Sequence, residues 1–99
     1  MITVFRSASI LPGKLMSALA FAKQVAAYVT DVTGVESSVA MPFGGNPMRI
    51  GWASRYDNLG AVEATLGKLL ADAKYQEMVA KGGENFIAGS VHDEIWRTI

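Results

Sequence analysis

The chain contains no cysteine and a single histidine, His92. The first absence excludes disulfides, thiolate metal sites and a thiol nucleophile. The second leaves carboxylates to supply every other ligand of a metal site, so no metal is expected. Charge is also sparse: 18% of residues are charged, with nine basic and nine acidic side chains and no net charge. No basic run is present that would hold nucleic acid or an anionic membrane surface. No apolar run reaches the length of a membrane span, and no charged leader precedes one, so the expectation is a cytoplasmic protein that is neither secreted nor membrane-spanning. Gly44-Gly45 lacks a following Lys-Ser/Thr and joins two predicted strands, so it is no phosphate loop. Lys81-Gly82-Gly83 closes a helix, the wrong polarity for an anion. There is no Gly-x-Ser-x-Gly elbow.

What is present is apolar. Ninety-nine residues suit one domain spanning 1–99, and 51% of them are hydrophobic. A small monomer needs a large polar skin, which this composition does not provide. The surplus apolar surface argues for burial against a partner.

The order of periodicities is strand, long helix, hairpin, second helical region, final strand. Ile2 to Ser9 reads as a strand of β-branched and aromatic residues, ended by Leu11-Pro12-Gly13. From Lys14 to Thr33 the apolar stripe runs through Leu15, Ala18, Leu19, Ala22, Val25, Ala26 and Val29, and Gly34 supplies a left-handed C-terminus. Phe21 and Tyr28 flank that stripe a heptad apart. Val35 to Pro42 and Met48 to Tyr56 read as two strands of a hairpin around Phe43-Gly44-Gly45-Asn46-Pro47. Asp57 or Asn58 caps the next helix, and Asp72 caps a further turn or separate helix through Tyr75 to Val79. Ser90 to Thr98 reads as the last strand. Two helical regions on one face of four antiparallel strands define a ferredoxin-like βαββαβ, α+β fold.

Alternation then assigns faces. Tyr56 precedes a helix cap, which puts Ile50, Trp52 and Tyr56 beneath the helices and Arg49 and Arg55 on the open face. Val35, Val39 and Met41 are expected inside, Glu36 and Ser38 outside. In the last strand Val91 and Ile95 fit the core, while His92, Glu94 and Trp96 point away. In the first strand Phe5, as the bulkiest residue, is the core candidate, and Val4, Arg6 and Ala8 fall on the open face.

The chain resembles the dimeric α/β-barrel superfamily and, within it, the NIPSNAP-type domain. The resemblance lies in Met1-Ile2, Arg6 and Pro12-Gly13-Lys14, then Trp52, Arg55-Tyr56 and Asn58-Leu59, then Asp72 through Tyr75-Gln76-Glu77. It covers most of the chain with short motifs. It implies a homodimer in which two ferredoxin-like sheets pack face to face, with a cavity between sheet and helices or between the sheets. The superfamily includes cofactor-free monooxygenases, haem-degrading enzymes, small cyclases and proteins of no known activity, so the fold does not select a function. The haem-degrading branch uses a histidine late in the second helix; this chain has none there, and haem is not carried over. No cofactor is expected.

These readings yield a short list of candidate residues. His92 is the one imidazole, the residue type suited to general acid–base work at neutral pH, and Glu94 shares its face, so the pair is the catalytic candidate for an acid–base step. Arg6 is the anchor for an anionic ligand; its structural alternative is an ion pair with Glu36 or Glu94. Ser38, Arg55 and Trp96 complete the expected ligand-binding set, Trp96 through apolar area. Trp52 and Tyr56 read as core packing. Three functions are carried forward. The leading one is binding of a small, partly apolar or anionic molecule. The others are cofactor-independent oxygenation or cyclisation of an aromatic or polyketide-like substrate, and a non-enzymatic dimerisation module.

Overall fold

Residues 1–99 are all described by the computed structural model. Ile2–Ser9 form β1, which occupies the middle of the sheet. Ile10 extends it as an isolated bridge to Phe86, and Ile87 N–H donates to the Ser9 carbonyl at 2.9 Å. The turn at Gly13, with φ at 81°, then leads into α1, Leu15–Thr33. Ala18, Ala22, Val25 and Ala26 are the buried stripe of α1, and three alanines among four let the helix lie close on the sheet. Gly34 ends it in the left-handed conformation, its N–H donating to the Thr30 carbonyl.

The hairpin strands are β2, Ser37–Ala40, and β3, Arg49–Tyr56. Asn58 caps α2, Leu59–Leu70, by accepting from Ala61 N–H at 2.9 Å. Asp72 ends that helical run and caps α3, Ala73–Gly82, accepting from Tyr75 N–H at 2.8 Å. A single 3₁₀ turn, Gly83–Asn85, returns the chain to the end of β1. The last strand, β4, is His92–Arg97. Both β2 and β4 are shorter than their apolar patterns suggested, by four and three residues.

The sheet order is β2-β3-β1-β4 and every pairing is antiparallel. This is the ferredoxin-like α+β arrangement. Its densest packing lies at one end, where Ile10, Ala18, Ala22 and Ile50 are almost fully enclosed by Leu15, Leu19, Val39, Met48, Trp52 and Phe86.

Register corrects one face. Ile50 stands opposite Ala8, Trp52 opposite Arg6 and Ser54 opposite Val4. Directly opposed residues share a face, so Val4, Arg6 and Ala8 lie beneath the helices, and Phe5 lies on the open face. Bulk misled the assignment. Phe5 finds its space over Gly51, where a Cβ would collide with its ring. The same registers put Ser38 opposite Ala53 and Glu94 opposite Phe5, on the open face as expected.

Candidate functional site

The two-sided sheet has unequal cover on its helix side. Helix α1 lies over β2 and β3, and α2 touches β3, but neither α2 nor α3 packs closely on β4. A cleft remains between β1 and β4 below and α2 and α3 above. It encloses a cavity of about 410 Å³, within the range of small-molecule sites. The exposed flanks of Leu66, Val79, Ile87, Val91 and Ile95 form its mouth along the β4 edge. Val91 and Ile95, expected in the core, are therefore 59% and 56% exposed. A broader depression between α1 and β2 touches Lys23 and Asp31, but it is a surface hollow without enclosing walls.

An aromatic trio closes the deep end. The rings of Phe21, Trp52 and Phe86 meet edge to face at 5.9–6.4 Å between centroids. Trp52 Nε1–H donates to the Ala22 carbonyl at 3.2 Å, which fixes the indole against α1. Gly82 makes room for the trio, since a Cβ there would collide with the Phe21 ring. Apolar side chains from both neighbouring helices, Val25, Val62, Leu66 and Leu69 among them, continue the wall.

Polar groups are few and lie toward the mouth. Arg6 and Asp93 stand opposite each other across β1 and β4. Arg6 Nε–H donates to Asp93 Oδ1 at 2.7 Å and an Nη2 hydrogen to Oδ2 at 2.8 Å, a two-pronged ion pair. The hydrogen bonds from Arg6 hold the Asp93 carboxyl below its ordinary range, against the opposing effect of burial. The same contact raises the guanidinium, which stays charged. Tyr56 and Tyr75 bring phenolic hydroxyls, with Ser54 and Thr65 nearby on the lining. Burial pushes the Tyr56 phenol up, Ser54 partly offsetting it, so Tyr56 stays a neutral donor at physiological pH.

Behind the cavity, Tyr28 ties α1 to the start of α3. Its hydroxyl donates to the Asp72 carboxylate, at 2.8 and 2.9 Å from the two oxygens, and Lys74 lies 5.0 Å from its ring centre. Gln76 adds a side-chain bond to the Leu70 carbonyl across the α2–α3 corner.

The predicted site residues do not converge. Arg6 is in the cavity, and its partner is Asp93, not Glu36 or Glu94. His92, Glu94, Trp96, Ser38 and Arg55 are on the opposite face of the sheet. There His92 Nε2 lies 3.4 Å from Glu94, whose other oxygen accepts from Trp96 Nε1 at 3.0 Å. Arg49 covers Ser7 on that face, donating to its hydroxyl at 2.8 Å. Asp93 was missed although its signal was available: a carboxylate shares parity with Val91 and Ile95, the residues assigned inward. Trp52 and Tyr56, read as packing, line the cavity. No three His, Asp or Glu side chains come together as metal ligands. No helix is long and apolar enough to cross a membrane.

The architecture defines a class, the ferredoxin-like α+β domain with helices on one sheet face. Within that class the chain has the fold of NIPSNAP-type domains. It is similar along its whole length to a NIPSNAP domain protein from Burkholderia xenovorans, with a TM-score of 0.85, 15% identity and 95% of that chain covered. A NIPSNAP family protein from Agrobacterium tumefaciens superposes at 0.83 over 99% of this chain and 85% of its own, at 17% identity. An antibiotic biosynthesis monooxygenase superposes at 0.74 with 10% identity, covering 100% of this chain and 99% of its own. Identities this low carry the fold alone. By sequence, neither a protein family nor a curated protein matches the chain.

Proposed function

We propose that the chain is a small-molecule-binding domain that works as a homodimer, with the ligand held in the cavity between the sheet and α2–α3. The observation that carries this reading is the cavity itself. It is continuous, mostly apolar, reached from solvent, and furnished with one ion pair and two phenols. A core built for stability alone would close this space, because unfilled volume forfeits packing energy.

The dimer is supported by the bare face. Phe5, Arg49, Arg55, His92, Glu94 and Trp96 lie on a sheet surface that no helix covers, and Trp96 is 64% exposed. A second copy of the same sheet covers it by the same contacts in both directions. Native mass spectrometry of freshly purified protein tests both parts. The expected result is a dimer carrying a co-purifying small molecule or taking up an added one; a monomer with a filled or inaccessible cleft overturns it. A cytoplasmic site of action belongs to the same proposal and is tested by cell fractionation.

A second reading, cofactor-independent oxygenation or cyclisation, is favoured by the likeness to the monooxygenase fold. In that case the groups beside the substrate are Tyr56, Tyr75, Arg6 and Asp93, because His92 and Glu94 are on the other side of the sheet from the cavity. The dimerisation module requires no cavity and is the outcome if no ligand enters.

A further inference from the structure

The cavity carries ionised groups at one place only. Among its lining side chains Arg6 and Asp93 alone are charged at neutral pH, and they are spent on each other. The guanidinium has five N–H donors, of which Asp93 takes two. Each Asp93 oxygen accepts one of these bonds and keeps capacity for another. The couple therefore presents free donors beside free acceptors, with no net charge. A carboxylate brought to Arg6 meets the Asp93 carboxylate at its side, and the two like charges repel each other. An amide or hydroxy-carbonyl group, with a donor next to an acceptor, satisfies both halves, and the phenols of Tyr56 and Tyr75 add two further bonds of either sense. The volume of about 410 Å³ suits a bicyclic molecule or a medium chain.

Building on the ligand-binding reading, we infer that Asp93 sets the charge selectivity of the cavity. By neutralising Arg6 it makes the site take an uncharged, mainly apolar molecule with adjacent donor and acceptor groups, and reject the matching carboxylate. This reverses the expectation from sequence, in which Arg6 anchors an anion.

The test uses two probes of matched shape, 2-naphthamide and 2-naphthoate, titrated into the full chain by calorimetry at neutral pH. The wild type is expected to bind the amide at least about tenfold more tightly. Asp93→Asn frees the positive charge, and naphthoate is expected to gain about tenfold. Arg6→Gln leaves the negative charge alone, and naphthoate is expected to weaken further, while thermal unfolding verifies that each variant is folded. A folding defect weakens both probes in both variants, so opposite responses to the two substitutions identify charge selectivity. If the wild type prefers naphthoate, or if Asp93→Asn leaves the preference unchanged in a folded chain, the inference fails and the ligand-binding reading survives. If neither naphthyl probe binds and octanamide and octanoate are also silent, the ligand-binding reading fails and takes the inference with it.

Discussion

Arg6 and Asp93 are direct cross-strand neighbours, joined by two hydrogen bonds of 2.7 and 2.8 Å at the mouth of the cavity. Both side chains are a little over two-fifths exposed, so solvent screens the attraction. A double-mutant cycle of Arg6→Gln and Asp93→Asn is expected to give a coupling of about 0.5–1 kcal/mol in urea unfolding, the upper part of the range for exposed pairs because the geometry is two-pronged. The pH dependence has a defined sign. The folded carboxyl of Asp93 titrates below its unfolded value of about 3.9, so its contribution is full above that value and is lost as pH falls through the folded one. Stability of wild type relative to Asp93→Asn is expected to be constant above pH ~5 and to shrink below pH ~4. An unchanged difference on acidification counts against the pairing.

Asp72 does two jobs with one carboxylate, capping α3 and accepting the Tyr28 hydroxyl. Asp72→Asn keeps a good capping side chain, whereas Asp72→Ala removes both bonds. The expected order of melting temperatures is wild type, then Asp72→Asn, then Asp72→Ala. Tyr28→Phe is expected to lower the melting temperature of wild type but hardly that of Asp72→Ala. The Asp72 carboxyl is also held below its ordinary range, chiefly by the Tyr75 N–H and then by Tyr28, so the benefit of aspartate over alanine is expected to fade on acidification.

Gly82 packs on the Phe21 ring with no space for a methyl group. Gly82→Ala gains helix propensity but forces the ring out of the aromatic trio. The expected net cost is about 1–3 kcal/mol in denaturant unfolding. Phe21→Leu in the same chain is expected to recover part of it. Equal costs in the two backgrounds count against the contact.

Trp52 closes the cavity and bonds the Ala22 carbonyl. Trp52→Ala is expected to cost about 3 kcal/mol, because it removes apolar contacts and leaves that volume unfilled. An apolar probe small enough to occupy the enlarged space is expected to recover stability in proportion to its occupancy.

The open sheet face gives the oligomer test. Each chain has a mass of 10.6 kDa, so light scattering is expected to report about twice that value for the wild type. Trp96→Glu places a charge on the exposed face and is expected to shift the species toward the single-chain mass. A wild-type chain already at the single mass rules out the dimer.

Much of the fold was legible because local chemistry states it. The alanine-rich stripe of α1, the Asp72 cap and the left-handed Gly34 are local signals that the structure repeats, and of the two candidate caps Asp57 and Asn58 it selects Asn58. The inward side of β3 was readable because Tyr56 precedes a helix cap, and the outward set of β4 followed from alternation. The face of β1 was not readable from size. Phe5 is larger than Val4 or Ala8, yet it lies outside because Gly51, far along the chain, leaves space for its ring.

Sequence alone determined the α+β class, the order of elements, their caps, and the want of thiols, since these depend on residue type and on neighbours three or four positions away. Tertiary structure decided which side of the central strand meets the helices, that Arg6 is met by Asp93, and that a cavity opens where α2 and α3 do not pack closely on β4. Those outcomes depend on the register between distant strands and on how far a helix reaches over the sheet, and periodicity within a single segment encodes neither.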